Sequence, residues 1–180
     1  MRGTFVFPGT DTDFIQLIEL RGNNGAQDDV ETVFVLTGET YYVPTRLFAF
    51  DDPTHYREAT PTAVDIDNRA VAQTIADFYE ERVGPRLVAR FHTHPGGNPM
   101  PSTKDKRNAA KKQRVFDRYF DDYELFLGIH VLGEPCDLDP DWLRRPEQTA
   151  TNAVSWRGEH RTHTLALYNG RYESRSVVVG

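Results

Sequence analysis

The stretch "RLVARFHTHPGGNPMPSTKD", Arg86 to Asp105, passes from an apolar run into a loop of prolines and glycines and then into Ser-x-x-Asp. "RLVARFH" predicts a strand. "STKDKRNAAKKQRVFDRYF", from Ser102, predicts a helix with Ser102 at its N-cap and Asp105 in its first turn. The loop therefore joins a strand to a helix, and its ends carry the chain's most suggestive chemistry. His92 and His94 stand at i and i+2 near the end of the strand, so their rings project to the same side of the sheet. A carboxylate in the first helical turn, Asp105, can return to the same place. Two imidazoles and one carboxylate leave a fourth tetrahedral position open, the donor set of a catalytic rather than a structural zinc site. Water held there becomes a nucleophile near neutral pH.

Outward from this unit, strands and helices mix without strict alternation. "GTFVF" predicts a first strand closed by Pro8-Gly9, and "DTDFIQLIELRG" a short helix ending at Gly22. "ETVFVLTG" and "TYYVPTRLFAF" predict strands meeting near Gly38. In "DIDNRAVAQTIADFYEERVG", Val71, Ile75, Phe78, Tyr79 and Val83 form an apolar stripe, with Asp67 as cap and Gly84 as stop. "YELFLGIHVLG" predicts a buried strand. "LALYNGRYESRSVVV" predicts a closing hairpin about Asn169-Gly170. The pattern predicts one α/β domain over residues 1–180, with a single mixed β-sheet flanked by helices. Residues 134–160 are expected to form a long irregular segment beside the metal loop, ordering on substrate binding.

Composition narrows the function classes. With 180 residues, 38% of them hydrophobic, the chain can bury a sizeable core. No apolar run reaches the length of a membrane span, and "MRGTFVFPGT" meets Pro8-Gly9 too early for a secretory signal, so a cytoplasmic protein without a membrane partner is expected. The single cysteine, Cys136, excludes an internal disulfide and a cysteine zinc cage. A net charge of −6 argues against a nucleic-acid partner. The one basic cluster, "KDKRNAAKKQR", is read as a solvated helix face. His55, His130 and the pair His160/His163 are read as loop or core residues with no part in the chemistry.

"HTHPGGNPMPSTKD" resembles the JAMM (MPN+) motif of zinc metallopeptidases: His-x-His, seven residues, Ser, two residues, Asp. The prolines after the second His and before the Ser match as well. "ETVFVLTG", Glu31 to Gly38, resembles the upstream element of that family, in which a glutamate precedes a short apolar strand. The resemblance implies an MPN, cytidine-deaminase-like architecture. It implies zinc held by His92, His94 and Asp105, with Glu31 as general acid/base and Ser102 as donor to the oxyanion. Glu19 and Glu39 compete for the role of Glu31. Glu39 falls in a turn and Glu19 on the polar side of the first helix, so Glu31 is preferred. The implied activity is hydrolysis of a peptide or isopeptide bond after the C-terminal Gly-Gly of a ubiquitin-like modifier or sulfur carrier. Two other readings are a non-catalytic MPN protein-binding scaffold and a nucleic-acid-associated metallohydrolase.

Overall fold

The computed structural model describes residues 3–79, 84–95, 97–137 and 139–180. In chain order it forms β1 (Phe5–Phe7), α1 (Thr12–Gln27), β2 (Val33–Gly38), β3 (Arg46–Phe50), β4 (Tyr56–Thr60), β5 (Ala63–Ile66), α2 (Asn68–Phe78), β6 (Leu87–His94), α3 (Thr103–Phe116), β7 (Glu124–Pro135), β8 (Glu147–Ala150), β9 (Ala153–Arg157), β10 (Arg161–Asn169) and β11 (Val177–Val179). Seven strands make one sheet in the order β3-β2-β6-β7-β10-β9-β8. β6 and β7 run parallel and the other neighbours antiparallel, so the sheet is mixed, as expected.

Both faces of this sheet are buried, which is why its central strands are almost continuously apolar. The two-residue period sorts them. Phe34, Leu36, Phe91, Phe126 and Leu165 pack under α1 and the β1/β11 pair. Val33, Val35, Val88, Leu127 and Ile129 pack under α2 and α3. His92 and His94 share the register of Val88, so the predicted metal ligands rise on the α2/α3 face.

Several elements depart from the sequence reading. α1 does not stop at Gly22 but continues to Gln27. Gly22 serves close packing instead: a Cβ there would lie 2.5 Å from His130 Cε1 and 2.6 Å from Leu132 Cδ2. The strand expected from Thr40 begins only at Arg46, because the chain doubles back so tightly that a Cβ on Gly38 would overlap the carbonyl of Val43. α2 is capped by Asp67 as predicted, its side chain accepting from Arg69 N, but Val83 of the predicted stripe lies outside the described residues.

The closing hairpin forms only at its tip. Tyr172 N donates to Asn169 O, and Tyr172 itself takes a left-handed conformation (φ 58°), giving a three-residue loop rather than the two-residue turn about Asn169-Gly170. β11 then leaves β10 and pairs in parallel with β1. Segment 134–160 is not one long loop. β7 runs on to Pro135, and β8 and β9 form a hairpin at the outer edge of the sheet, with β7 and β10 between β9 and β6. At about 4.8 Å per strand, β9 stands roughly 14 Å from β6, the strand that carries the two histidines.

Candidate metal centre

β2 and β6 pair antiparallel with Val33 opposite His92 and Phe34 opposite Phe91. Carried two residues back along β2, that register sets Glu31 across from His94. Backbone bonds hold the alignment past the end of β2: Thr93 N donates to Thr32 O at 2.9 Å, and Thr32 N donates to Thr93 Oγ1 at 2.8 Å. The β4–β5 hairpin secures Glu31 from the other side, since Glu31 N donates to Thr60 O at 2.9 Å. The meeting of Glu31 with His94, far apart in sequence, thus follows from strand register and one supporting hairpin.

Three polar groups converge, and Asp105 touches one of them. His92 Nε2 lies 3.0 Å from His94 Nε2 and 3.3 Å from Asp105 Oδ1. Glu31 Oε1 lies 3.8 Å from His94 Nε2, and the donor atoms of Glu31, His92 and His94 all fall within 4.8 Å of one another. Zinc–nitrogen bonds of about 2.0–2.1 Å at tetrahedral angles place neighbouring ligand atoms about 3.3 Å apart. The His92–His94 and His92–Asp105 separations match edges of such a tetrahedron, but the donor atoms that all lie close to one another are those of Glu31, His92 and His94, so these three fit a metal ion and the predicted ligand Asp105 reaches the group only through His92.

Their surroundings prepare them for that role. His94 Nδ1 donates to the carbonyl of Asn98 at 2.6 Å, which fixes the tautomer and leaves the Nε2 lone pair toward the site. Burial lowers the pKa of His92 to about 4, so its imidazole is neutral and able to ligate. Burial alone would raise Asp105, but hydrogen bonding to His92 and Ser102, with the charge of Lys112, holds its carboxyl well below the usual range. Glu31 moves the other way, to about 8, first through burial and then through the negative charge of Asp105. Two neighbouring carboxylates are thereby separated into an ionised group, Asp105, and a proton holder, Glu31, the pattern that marks candidate acid–base sites.

Ser102 is the N-cap of α3, and with Asp105 it forms a capping box. Its Oγ donates to Asp105 Oδ2 at 2.7 Å and accepts from Asp105 N at 3.1 Å, while Ser102 N donates to the same Oδ2 at 2.9 Å. One carboxylate oxygen is occupied by the cap, and the other, Oδ1, faces His92. The Ser-x-x-Asp spacing is therefore a helix start that also aims a carboxylate oxygen at His92.

The competing residues lie elsewhere. Glu19 is not on an exposed polar face: it is 2% exposed, accepting from Trp156 Nε1 and Arg144 Nη2, each at 3.0 Å. It packs on the α1 side of the sheet, opposite the metal centre. His130 and His163 are buried on that side too, Nε2 to Nδ1 at 2.9 Å, with burial lowering both pKa values. Sequence reasoning missed Lys112. It is buried 3.9 Å from Asp105 Oδ1, and burial together with the charge of Arg90 lowers its pKa to about 7. The signal was present: Ala109, Lys112 and Phe116 are the buried positions of α3, at helical i, i+3, i+7 spacing.

The family of prokaryotic homologs of the JAB domain matches residues 19–138, a span holding Glu31, His92, His94, Ser102 and Asp105. No curated protein matches the chain.

Proposed function

The chain belongs to the prokaryotic homologs of the JAB domain, and from that premise we propose that it is a zinc-dependent hydrolase of peptide or isopeptide bonds, cleaving after the C-terminal Gly-Gly of a ubiquitin-like modifier or sulfur carrier. The observation that carries this reading is the convergence of Glu31, His92 and His94, with Asp105 Oδ1 against His92. His92, His94 and Asp105 would hold the zinc ion, which would supply an acidified water and polarise a carbonyl.

The chain's own residues supply the rest. Glu31, its Oε1 3.8 Å from His94 Nε2, is the group to take the water's proton and return it to the leaving amine. Its high pKa of about 8 suits the second half of that task. The charge of a bound metal ion would lower it, which suits the first. Ser102 has a single hydroxyl proton, directed at Asp105 Oδ2. Donation to an oxyanion requires that proton to swing away, while the Ser102 backbone N–H keeps the carboxylate in place.

The test is cleavage of a small ubiquitin-like protein fused through its terminal Gly-Gly to a reporter peptide. Release is expected to stop on chelation, to return with added zinc, and to be lost in Glu31→Ala. Cleavage indifferent to chelation, or a zinc-loaded protein inert toward every Gly-Gly fusion offered, overturns the reading.

A further inference from the structure

Beyond Glu31, Ser102 and Asp105 the metal centre opens into a cleft of about 780 Å³ between α3, the start of α2 and the β4–β5 hairpin. The charge of this cleft opposes that of the chain. The protein as a whole carries −6, yet Arg90 and Lys112 form the cleft's inner wall and Arg57, Arg69, Lys111, Arg114 and Arg118 surround it. Those last five are exposed, and none has an ion-pair partner among the described residues. Lys104, also at the cleft, is paired with Glu58 at 2.9 Å. Asp65 and Asp67 are the acids on its wall apart from the metal centre's own.

Arg90 is the telling residue. It is 2% exposed, its Nε donates to Asn68 Oδ1 at 2.9 Å, and its Nη1 has no partner. A buried guanidinium left short of an acceptor is costly, and the cost is recovered when an anion arrives. Lys112 Nζ, beside it, is held by Tyr172 OH at 3.2 Å. A guanidinium with an ammonium next to it is shaped for a carboxylate, which offers two oxygens in one plane.

We propose that this cleft binds an acidic stretch of the polypeptide substrate and seats one of its carboxylates against Arg90 and Lys112. Arg90 precedes His92 by two positions on the same face of β6, so the seat lies about 7 Å along the strand from the metal ligands, some two residues of extended peptide. The carboxylate belongs either to an Asp or Glu side chain or to a chain's own C-terminus. Nucleic acid fits less well: long phosphate chains would meet the acidic remainder of the surface, and the cations are gathered in one cleft rather than along a stripe. The proposal rests on the peptide-hydrolase reading and names a property of its substrate.

Binding is read by fluorescence anisotropy on the zinc-loaded protein, so that no turnover is needed. Four fluorescein-labelled probes of equal length are compared: a Gly-Gly peptide with Asp and Glu residues and an amidated end, the same peptide with Asn and Gln, a neutral peptide with a free C-terminal carboxylate, and single-stranded DNA. At least one carboxylate-bearing peptide is expected to bind tenfold or more tightly than the Asn/Gln probe, and the tighter of the two identifies the source of the anion. The triple variant Arg69→Gln, Arg114→Gln, Arg118→Gln, confined to exposed side chains, is expected to lose most of that preference. Arg90→Met, if folded by circular dichroism, is expected to abolish it. Equal binding of all three peptides, an unmoved preference in the triple variant, or tighter binding of DNA than of either acidic probe overturns the proposal. Carboxylate preference without Gly-Gly cleavage would sink the hydrolase reading alone, whereas Gly-Gly cleavage without carboxylate preference would sink this one alone.

Discussion

Ser102→Ala separates two jobs that one residue can hold. The substitution removes the Oγ that donates to Asp105 Oδ2 at 2.7 Å and accepts from Asp105 N at 3.1 Å. Loss of an N-cap serine costs about 1 kcal/mol, which for a chain of this size lowers Tm by roughly 2–4 °C. The carboxylate keeps only the Ser102 backbone N–H as a local partner, so Oδ1 is aimed less firmly at His92. Loss of an outer partner of a metal ligand typically weakens affinity about 10- to 100-fold. Zinc affinity is measured by competition with a chromophoric chelator, and stability by thermal denaturation of the metal-free protein. Ser102→Thr, which keeps a hydroxyl cap, is expected to restore most of both. If zinc affinity in Ser102→Ala equals that of the wild type while turnover falls, Ser102 acts on the reaction and the ligand-aiming argument is wrong.

Other perturbations probe other parts of the structure. Arg144→Ala leaves Glu19, 2% exposed, without its cation, and is expected to cost about 3 kcal/mol while zinc content stays unchanged, because the pair lies across the sheet from the metal centre; an unshifted Tm would refute the importance of that pair. Gly22→Ala forces a methyl to within 2.5 Å of His130 Cε1 and is expected to cost about 1–3 kcal/mol by overpacking, so a neutral result would show that α1 can lift off β7 freely. In metal-free protein, Glu31 has a folded pKa of about 8 against 4.5 unfolded. The folded state therefore holds a proton that the unfolded state releases across that window, and this residue's contribution falls as pH rises through it. Glu31→Gln should accordingly match wild-type stability near pH 4.5 and exceed it increasingly toward pH 8, by about 2 kcal/mol after allowance for solvent at the open face of the site. A stability difference that does not change with pH contradicts the buried-carboxyl assignment.

What the sequence made legible was local. Ser102, Asp105 and the two histidines sit within one strand–loop–helix unit, and helix capping and strand alternation suffice to bring them together. Glu31 became readable through the family resemblance, but its physical placement depends on β2 pairing with β6 in one register, and no local pattern reports that. Glu19 was misplaced for the same reason: its partners, Arg144 and Trp156, lie more than 120 residues away. Glycine was read as a helix stop at Gly22, although its missing Cβ served contact with β7. β8 and β9 looked irregular because an edge hairpin needs little apolar alternation; all four residues of β8 are exposed. The basic helix misled in part. Counting charges suggests a solvated face, whereas the 109–112–116 stripe sets Lys112 inside, and the neighbouring cations turn toward a cleft formed with the β4–β5 hairpin, an element the sequence reading did not contain.

Zinc content per chain, measured by elemental analysis on purified wild type, His94→Ala and Asp105→Ala, tests the metal centre most directly. Both side chains are largely buried, at 13% and 14% exposure, so thermal denaturation of each variant accompanies the measurement. The account predicts about one zinc per wild-type chain and loss of most of it in both folded variants. A wild type that takes up no zinc from a zinc-supplemented solution, or full retention in both variants, would contradict it.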